Sequence, residues 1–191
     1  MDDMLRRALR NFLGLLKQLL TNLLGEDGET WTTEFKRFLR KELCWNFFTI
    51  TDYPSFKTSE IVARLRKKFT ISVYREGHLD SDFPSPKETT CRRFKKTVEA
   101  DSEHKNKSAD MLDIEGLSSI TLRERLLMEE LYFDETREHL DPKAWTICAG
   151  SRYPVGYVPY VLWLPGGRRV CVSWCGSVDR DPSARPRVAV S

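Results

Sequence analysis

The stretch Ala144–Cys175, AWTICAGSRYPVGYVPYVLWLPGGRRVCVSWC, is where the hydrophobic period of this chain changes to two. Three short runs within it, AWTICAG, YVPYVLW and RVCVSW, read as strands, and RPRVAV at 185–190 reads as a fourth. Pro165-Gly166-Gly167 stands between two of the hydrophobic runs and predicts a hairpin, because proline presets one backbone angle and glycine tolerates the reversed one. On the strand after that turn, Val170, Val172 and Trp174 share one face, and Cys171, Ser173 and Cys175 share the other. Base rates for large aromatics place Trp163 and Trp174 in the core. The region from 121 on is therefore expected to be a helix plus an antiparallel β-module.

The helix before that module is marked by its own start signal. Thr121 and Glu124 form a T-x-x-E capping box, and the following apolar residues Leu122, Leu126, Leu127, Leu131 and Phe133 predict a helix reaching about Glu138. Its acids, Glu129, Glu130, Asp134, Glu135 and Glu138, read as a solvent-facing surface with no histidine beside them. Asp141-Pro142 ends the segment.

Further upstream, residues 99–120 are polar and read as an exposed connector, and 76–90 read as a loop. Residues 1–98 form the remaining region. Within it, FTISVY at 69–74 alternates like a half-buried strand, Thr58 or Ser59 can cap a helix with Ile61, Val62 and Leu65 inward, and Trp45–Thr51 reads as a strand. This order predicts a small mixed strand–helix–strand region. Amphipathic helices are predicted over 2–24 and 30–43. The fold class expected is α+β.

Helix 2–24 carries a wide leucine face, which points to packing or self-association. Lys17 interrupts the apolar run, no small-residue cleavage site follows, and no uncharged stretch is long enough to span a bilayer. Contact with a membrane surface is the weaker alternative.

Charge is distributed in blocks. Residues 57–75 and 143–191 each carry +5, and residues 101–141 carry −7. Blocks of this kind either meet inside one fold or mark binding faces, and the first reading is favoured. The overall charge of +3 makes no case for a nucleic-acid partner. Two clusters keep that alternative in view: Arg64, Arg66, Lys67 and Lys68, and then Arg92, Arg93, Lys95 and Lys96 around Phe94.

No GxSxG, P-loop, GxGxxG or HExxH pattern occurs in the sequence. The five cysteines, Cys44, Cys91, Cys148, Cys171 and Cys175, lack paired spacing and read as reduced thiols, which points to the cytosol. Cys171 and Cys175 stand about 13 Å apart along a strand, too far to share one zinc ion without a turn. No cofactor or metal is expected. A cysteine nucleophile around Cys148 and His139 is the remaining enzymatic reading. Gly150-Ser151-Arg152 either presents backbone N–H groups to an anion or forms a plain turn.

Two segments, WTTEFKRFLRKELCW and ITLRERLLMEELYFDETREHLD continuing through WTICAGSRYPVGYVPYVLW to RPRVAVS, resemble stretches of small uncharacterised proteins from uncultivated bacterial lineages. The resemblance implies a bacterial origin and carries no activity, cofactor or partner. Its recurring residues are Trp145, Cys148, Gly150, Ser151, Arg152, Pro159, Trp163, Trp174, Arg185 and Arg187.

The function these readings favour is a non-enzymatic binding or accessory protein, acting through aromatic and arginine side chains of the β-module. The binding candidates are Arg152, Tyr160, Trp163, Arg168, Arg169 and Trp174, which are residue types enriched at interaction hot spots.

Overall fold

The computed structural model of the chain describes residues 47–190. The expected helices 2–24 and 30–43, Cys44 and the first two residues of the expected strand at 45–51 lie outside them. The described elements are β1 (Phe47–Asp52), α1 (Thr58–Arg66), β2 (Ile71–Val73), a one-turn α2 (Leu79–Asp82) and β3 (Thr90–Lys95). They continue with α3 (Ala109–Ile114), α4 (Leu122–Thr136), β4 (Trp145–Ile147), β5 (Val158–Leu164), β6 (Arg169–Cys175) and the two-residue β7 (Ala184–Arg185). The class is α+β.

The expected hairpin forms the centre of a five-stranded sheet of order β2-β6-β5-β4-β7. β5 pairs antiparallel with both β6 and β4, with Val161 opposite Val172 on one side and Thr146 on the other. The sheet is extended at each edge by a parallel strand, β2 beside β6 and β7 beside β4. β1 and β3 pair separately as an antiparallel ribbon.

Both faces of the larger sheet are covered. Ile71, Val161, Val170 and Val172 join the main core with Phe48, Phe94, Ile61, Leu65, Leu126 and Met128. Ile147, Val158 and Cys175 join a smaller one with Ala109 and Leu112 of α3. Burial on two sides explains why YVPYVLW reads as an almost continuous apolar run rather than a clean alternation.

Helix α4 begins as its sequence announces. Thr121 Oγ1 accepts from the Glu124 N–H at 3.2 Å, and Glu124 Oε2 accepts from the Thr121 N–H at 2.8 Å. Ser151 Oγ accepts from the Leu122 N–H at 3.0 Å, so the Gly-Ser-Arg turn closes the helix start. Gly150 is required there, because a Cβ would lie 2.5 Å from the backbone oxygen of Ser119. Gly150→Ala is expected to lower stability by about 1–3 kcal/mol through overpacking, read as a lower midpoint in urea. An unchanged midpoint would show that the turn can shift freely.

Several local expectations are corrected. The cap of α1 falls at Lys57, since the Thr58 and Ser59 hydroxyls are turned to Phe83 and Asp80. The segment 76–90 is not idle loop, because Leu79 and Phe83 are buried. Within 100–110, Ala100, Asp101, Ser108 and Ala109 are buried too, and Asp101 accepts the Val188 N–H at 2.8 Å. RPRVAV is not a full strand. Only Arg185 belongs to β7, and Val188 and Val190 make single bridges to Ser119 and Arg93.

The charge blocks meet inside the fold. Arg64 and Lys68 pair with Glu130, Lys68 also with Asp134, Arg92 with Glu124, Lys96 with Glu135 and Arg152 with Asp113. Among the described residues, no helix is long and apolar enough to cross a membrane.

Candidate functional site

Helix α4 carries three successive charged residues, Arg123, Glu124 and Arg125, and all are buried. A helix turns 100° per residue, so each must be neutralised by a different part of the fold. Arg123 grips Asp52 at the end of β1, Glu124 holds Arg92 of β3, and Arg125 reaches Asp141.

The third of these pairs opens into a network. Asp141 Oδ2 accepts from Arg125 at 2.8 Å and from the Thr146 hydroxyl at 2.5 Å. Its Oδ1 accepts from Arg187 at 2.8 Å and from the Ala100 N–H at 2.9 Å. Arg125 also donates to Glu129 Oε2 at 2.6 Å, and Glu129 Oε1 lies 2.8 Å from His139 Nδ1. The two arginines and two carboxylates cancel in charge. Burial opposes the charge on Asp141, but Arg187 and Arg125 outweigh it and hold the carboxyl below its usual range. On Arg125 burial likewise opposes charge, and Asp141 and Glu129 outweigh it and raise the pKa.

The expectation of a solvent-facing acidic surface on α4 is thus corrected at Glu129. It is buried, and a histidine does stand beside it. The chain reverses through Arg137 in a left-handed conformation, φ 63°, and so brings His139 back against the helix.

His139 is the link between this network and a cavity of about 630 Å³. The cavity is bounded by Phe69 and Thr70 after α1, by Phe133, Arg137 and His139 at the end of α4, and by Trp163, Gly167 and Arg168 of the β5–β6 hairpin. The His139 ring stacks on Trp163 with centroids 3.7 Å apart and planes 11° from parallel. Phe69 and Phe133 meet the same imidazole at 4.8 and 5.0 Å. Arg168 is also left-handed, φ 46°, at the end of the Pro-Gly-Gly turn. A left-handed backbone costs a non-glycine residue on the order of 1 kcal/mol or more. Both arginines that line this cavity hold that conformation, and so does Asp141 in the network beside it. Neither Arg137 nor Arg168 has an acidic partner among the described residues.

The sequence-named binding residues are not all brought together. Trp163 and Arg168 share the cavity. Arg152 lines a separate cavity of about 350 Å³ with the charged residues Asp52, Arg92, Arg123 and Glu124 and the apolar Phe83 and Pro84. In that cavity Asp52 and Glu124 already hold Arg123 and Arg92, and Arg152 holds Asp113. Tyr160 packs against Trp145 at 4.6 Å in the smaller core region, and Arg169 is exposed at the start of β6.

Trp174 departs from the core expectation. It is exposed, stacked on Tyr157 at 4.2 Å with Tyr74 at 5.8 Å. Trp163 is partly buried, between core and cavity.

Of the eight basic residues in the nucleic-acid alternative, six are engaged by carboxylates: Arg64, Arg66, Lys68, Arg92, Lys95 and Lys96. Arg93 lies over the Phe47 ring at 5.7 Å, and Lys67 has no ion pair among the described residues.

The geometry also weighs against a nucleophile at Cys148. Burial pushes its thiol far above the ordinary range, and its Sγ donates to Thr146 O at 3.8 Å. Burial pushes Cys175 up to about 11. Among the described cysteines, exposed Cys91 is expected to react first with iodoacetamide at pH 8, with Cys148 and Cys175 protected until the protein unfolds. Early labelling of Cys148 would revive the cysteine-enzyme reading.

No group of three or more metal-ligating side chains comes together among the described residues. Comparison with family models, curated proteins and solved structures gave no match for this chain.

Proposed function

We propose that this chain is a non-enzymatic, cytoplasmic binding or accessory protein whose ligand occupies the cavity between the end of α4 and the β5–β6 hairpin. The observation that carries this reading is the pairing of an aromatic wall, Trp163 stacked on His139 with Phe69 and Phe133, with two arginines held in left-handed backbone conformations. These left-handed positions, the C-cap of α4 and the end of the Pro-Gly-Gly turn, reverse the chain so that both side chains line the same cavity. The lining, aromatic side chains with a few polar groups, is of the kind that small-molecule sites use.

Support for acid–base chemistry is weaker. Glu129 is committed to Arg125 as well as to His139, so the dyad is anchored as a fixed wall of the site. The nucleic-acid reading has less support than ligand binding, since six of its eight basic residues already pair with carboxylates of the same chain.

The reading is tested by a thermal-shift screen against mixtures of small metabolites. A ligand present at about a hundredfold its Kd stabilises the folded state by about 2.7 kcal/mol, which a melt resolves easily. At least one mixture is expected to raise the Tm of the native chain and to lose that effect in both Trp163→Ala and Arg168→Gln. A stabilising ligand that leaves both variants equally responsive would place binding elsewhere.

A further inference from the structure

We infer that the ligand of the hairpin cavity is an aromatic dianion, specifically an aryl or nucleoside phosphate monoester. This rests on the reading of that cavity as the binding site.

Charge comes first. The network beside the cavity is neutral, because Arg125 and Arg187 are matched by Glu129 and Asp141. What the cavity presents is therefore the two positive charges of Arg137 and Arg168, with no carboxylate among its lining residues. The C-terminus of α4 contributes an opposing partial charge of about half a unit, which two guanidinium groups outweigh. A cationic ligand would be repelled despite the aromatic walls, and a ligand with two negative charges would meet both arginines.

The number of charges separates phosphate from carboxylate. Arg137 enters from the end of α4 and Arg168 from the turn between β5 and β6, two independent elements. A carboxylate can also take two guanidinium groups, as Asp141 does from Arg125 and Arg187, but it answers them with a single charge. A phosphate monoester carries close to two charges at neutral pH and spreads three acceptor oxygens tetrahedrally, so it can take a guanidinium on each side.

The rest of the cavity specifies the ester group. Phe69, Phe133 and the Trp163–His139 stack provide ring faces and edges, which suit a flat aromatic body by stacking or edge-on contact. Arg137 itself lies over Phe133, 5.6 Å from the ring centroid, so the cation and the aromatic wall are already joined.

The test is isothermal titration of the full chain with four probes: phenyl phosphate, adenosine 5′-monophosphate, phenol and inorganic phosphate. Binding of phenyl phosphate or the nucleotide is expected, with phenol and inorganic phosphate each at least tenfold weaker. Arg137→Gln and Arg168→Gln, both exposed positions whose fold is checked by circular dichroism, are each expected to weaken binding by about tenfold or more, as loss of a charge-assisted hydrogen bond implies. Phenol binding as tightly as phenyl phosphate, or Arg variants that bind normally, would overturn the dianion and leave the site itself standing. Inorganic phosphate matching phenyl phosphate would overturn the aromatic part. If none of the four binds while a different ligand from the thermal screen still depends on Trp163, the ligand class fails and the site survives. If no ligand depends on Trp163, both readings fail.

Discussion

Asp141→Asn is expected to cost about 3–5 kcal/mol of folding stability, because it leaves two buried arginines sharing a site with one carboxylate. Asp141 accepts from Arg125, Arg187, Thr146 and the Ala100 N–H, so it joins α4, the C-terminal segment, β4 and the chain after β3 at one side chain. Asparagine tolerates the positive φ of 57° at this position, so the loss isolates the charge from the backbone. The same residue predicts a pH dependence. Its folded pKa is depressed, so its contribution is complete above the ordinary carboxylate pKa of about 4 and is lost as pH falls through the lower folded value. Urea midpoints measured between pH 7 and pH 2 are expected to fall for the native chain and to fall less for Asp141→Asn. Parallel curves would remove Asp141 from the account of acid sensitivity.

Arg123→Lys is expected to be nearly as damaging, although it conserves charge. Arg123 uses its planar fork on both oxygens of Asp52, at 2.8 and 2.6 Å, and donates further to Thr58 Oγ1 and to Phe56 O at 2.9 Å each. An ammonium cannot reproduce that geometry. Losses of about 2–3 kcal/mol for lysine and about 3–5 kcal/mol for alanine are expected from the stranding of buried acceptors. A double-mutant cycle with Asp52→Asn should return a coupling of about 1–3 kcal/mol. A coupling near zero would mean that Arg123 acts by packing alone.

These two residues also show where the sequence could be read and where it could not. The capping box at Thr121 and Glu124 and the Pro-Gly-Gly hairpin are local signals, and the fold uses both as read. Arg123-Glu124-Arg125 gave no such signal, since a run of charges on a helix ordinarily means a wet face. Its burial depends on Asp52, Arg92 and Asp141, which come from three separate elements, and sequence spacing cannot show that meeting. His139 was hidden in the same way. Ten residues separate it from Glu129, and only the left-handed turn at Arg137 returns it to the helix. Trp163 and Arg168 were named as binding candidates from their residue types, and the structure places both at one cavity beside the Pro-Gly-Gly turn. Phe69, Phe133 and Arg137 complete the cavity from helix ends that look like ordinary core and surface.

The β-module thus keeps its place as the organising element, but its binding candidates are dispersed: Trp163 and Arg168 line the hairpin cavity, Arg152 a second pocket and Trp174 an exposed aromatic patch, with Tyr160 in the smaller core region and Arg169 exposed on β6. The indole N–H resonances in a ¹H–¹⁵N spectrum tell these locations apart most directly. Titration with a ligand that stabilises the chain should shift the indole signal of Trp163, which lines the cavity. The signals of Trp145, in the smaller core region, and of Trp174, on the aromatic patch, should stay in place. A shift at Trp174 or Trp145 with Trp163 unmoved would contradict the assignment of the hairpin cavity as the binding site.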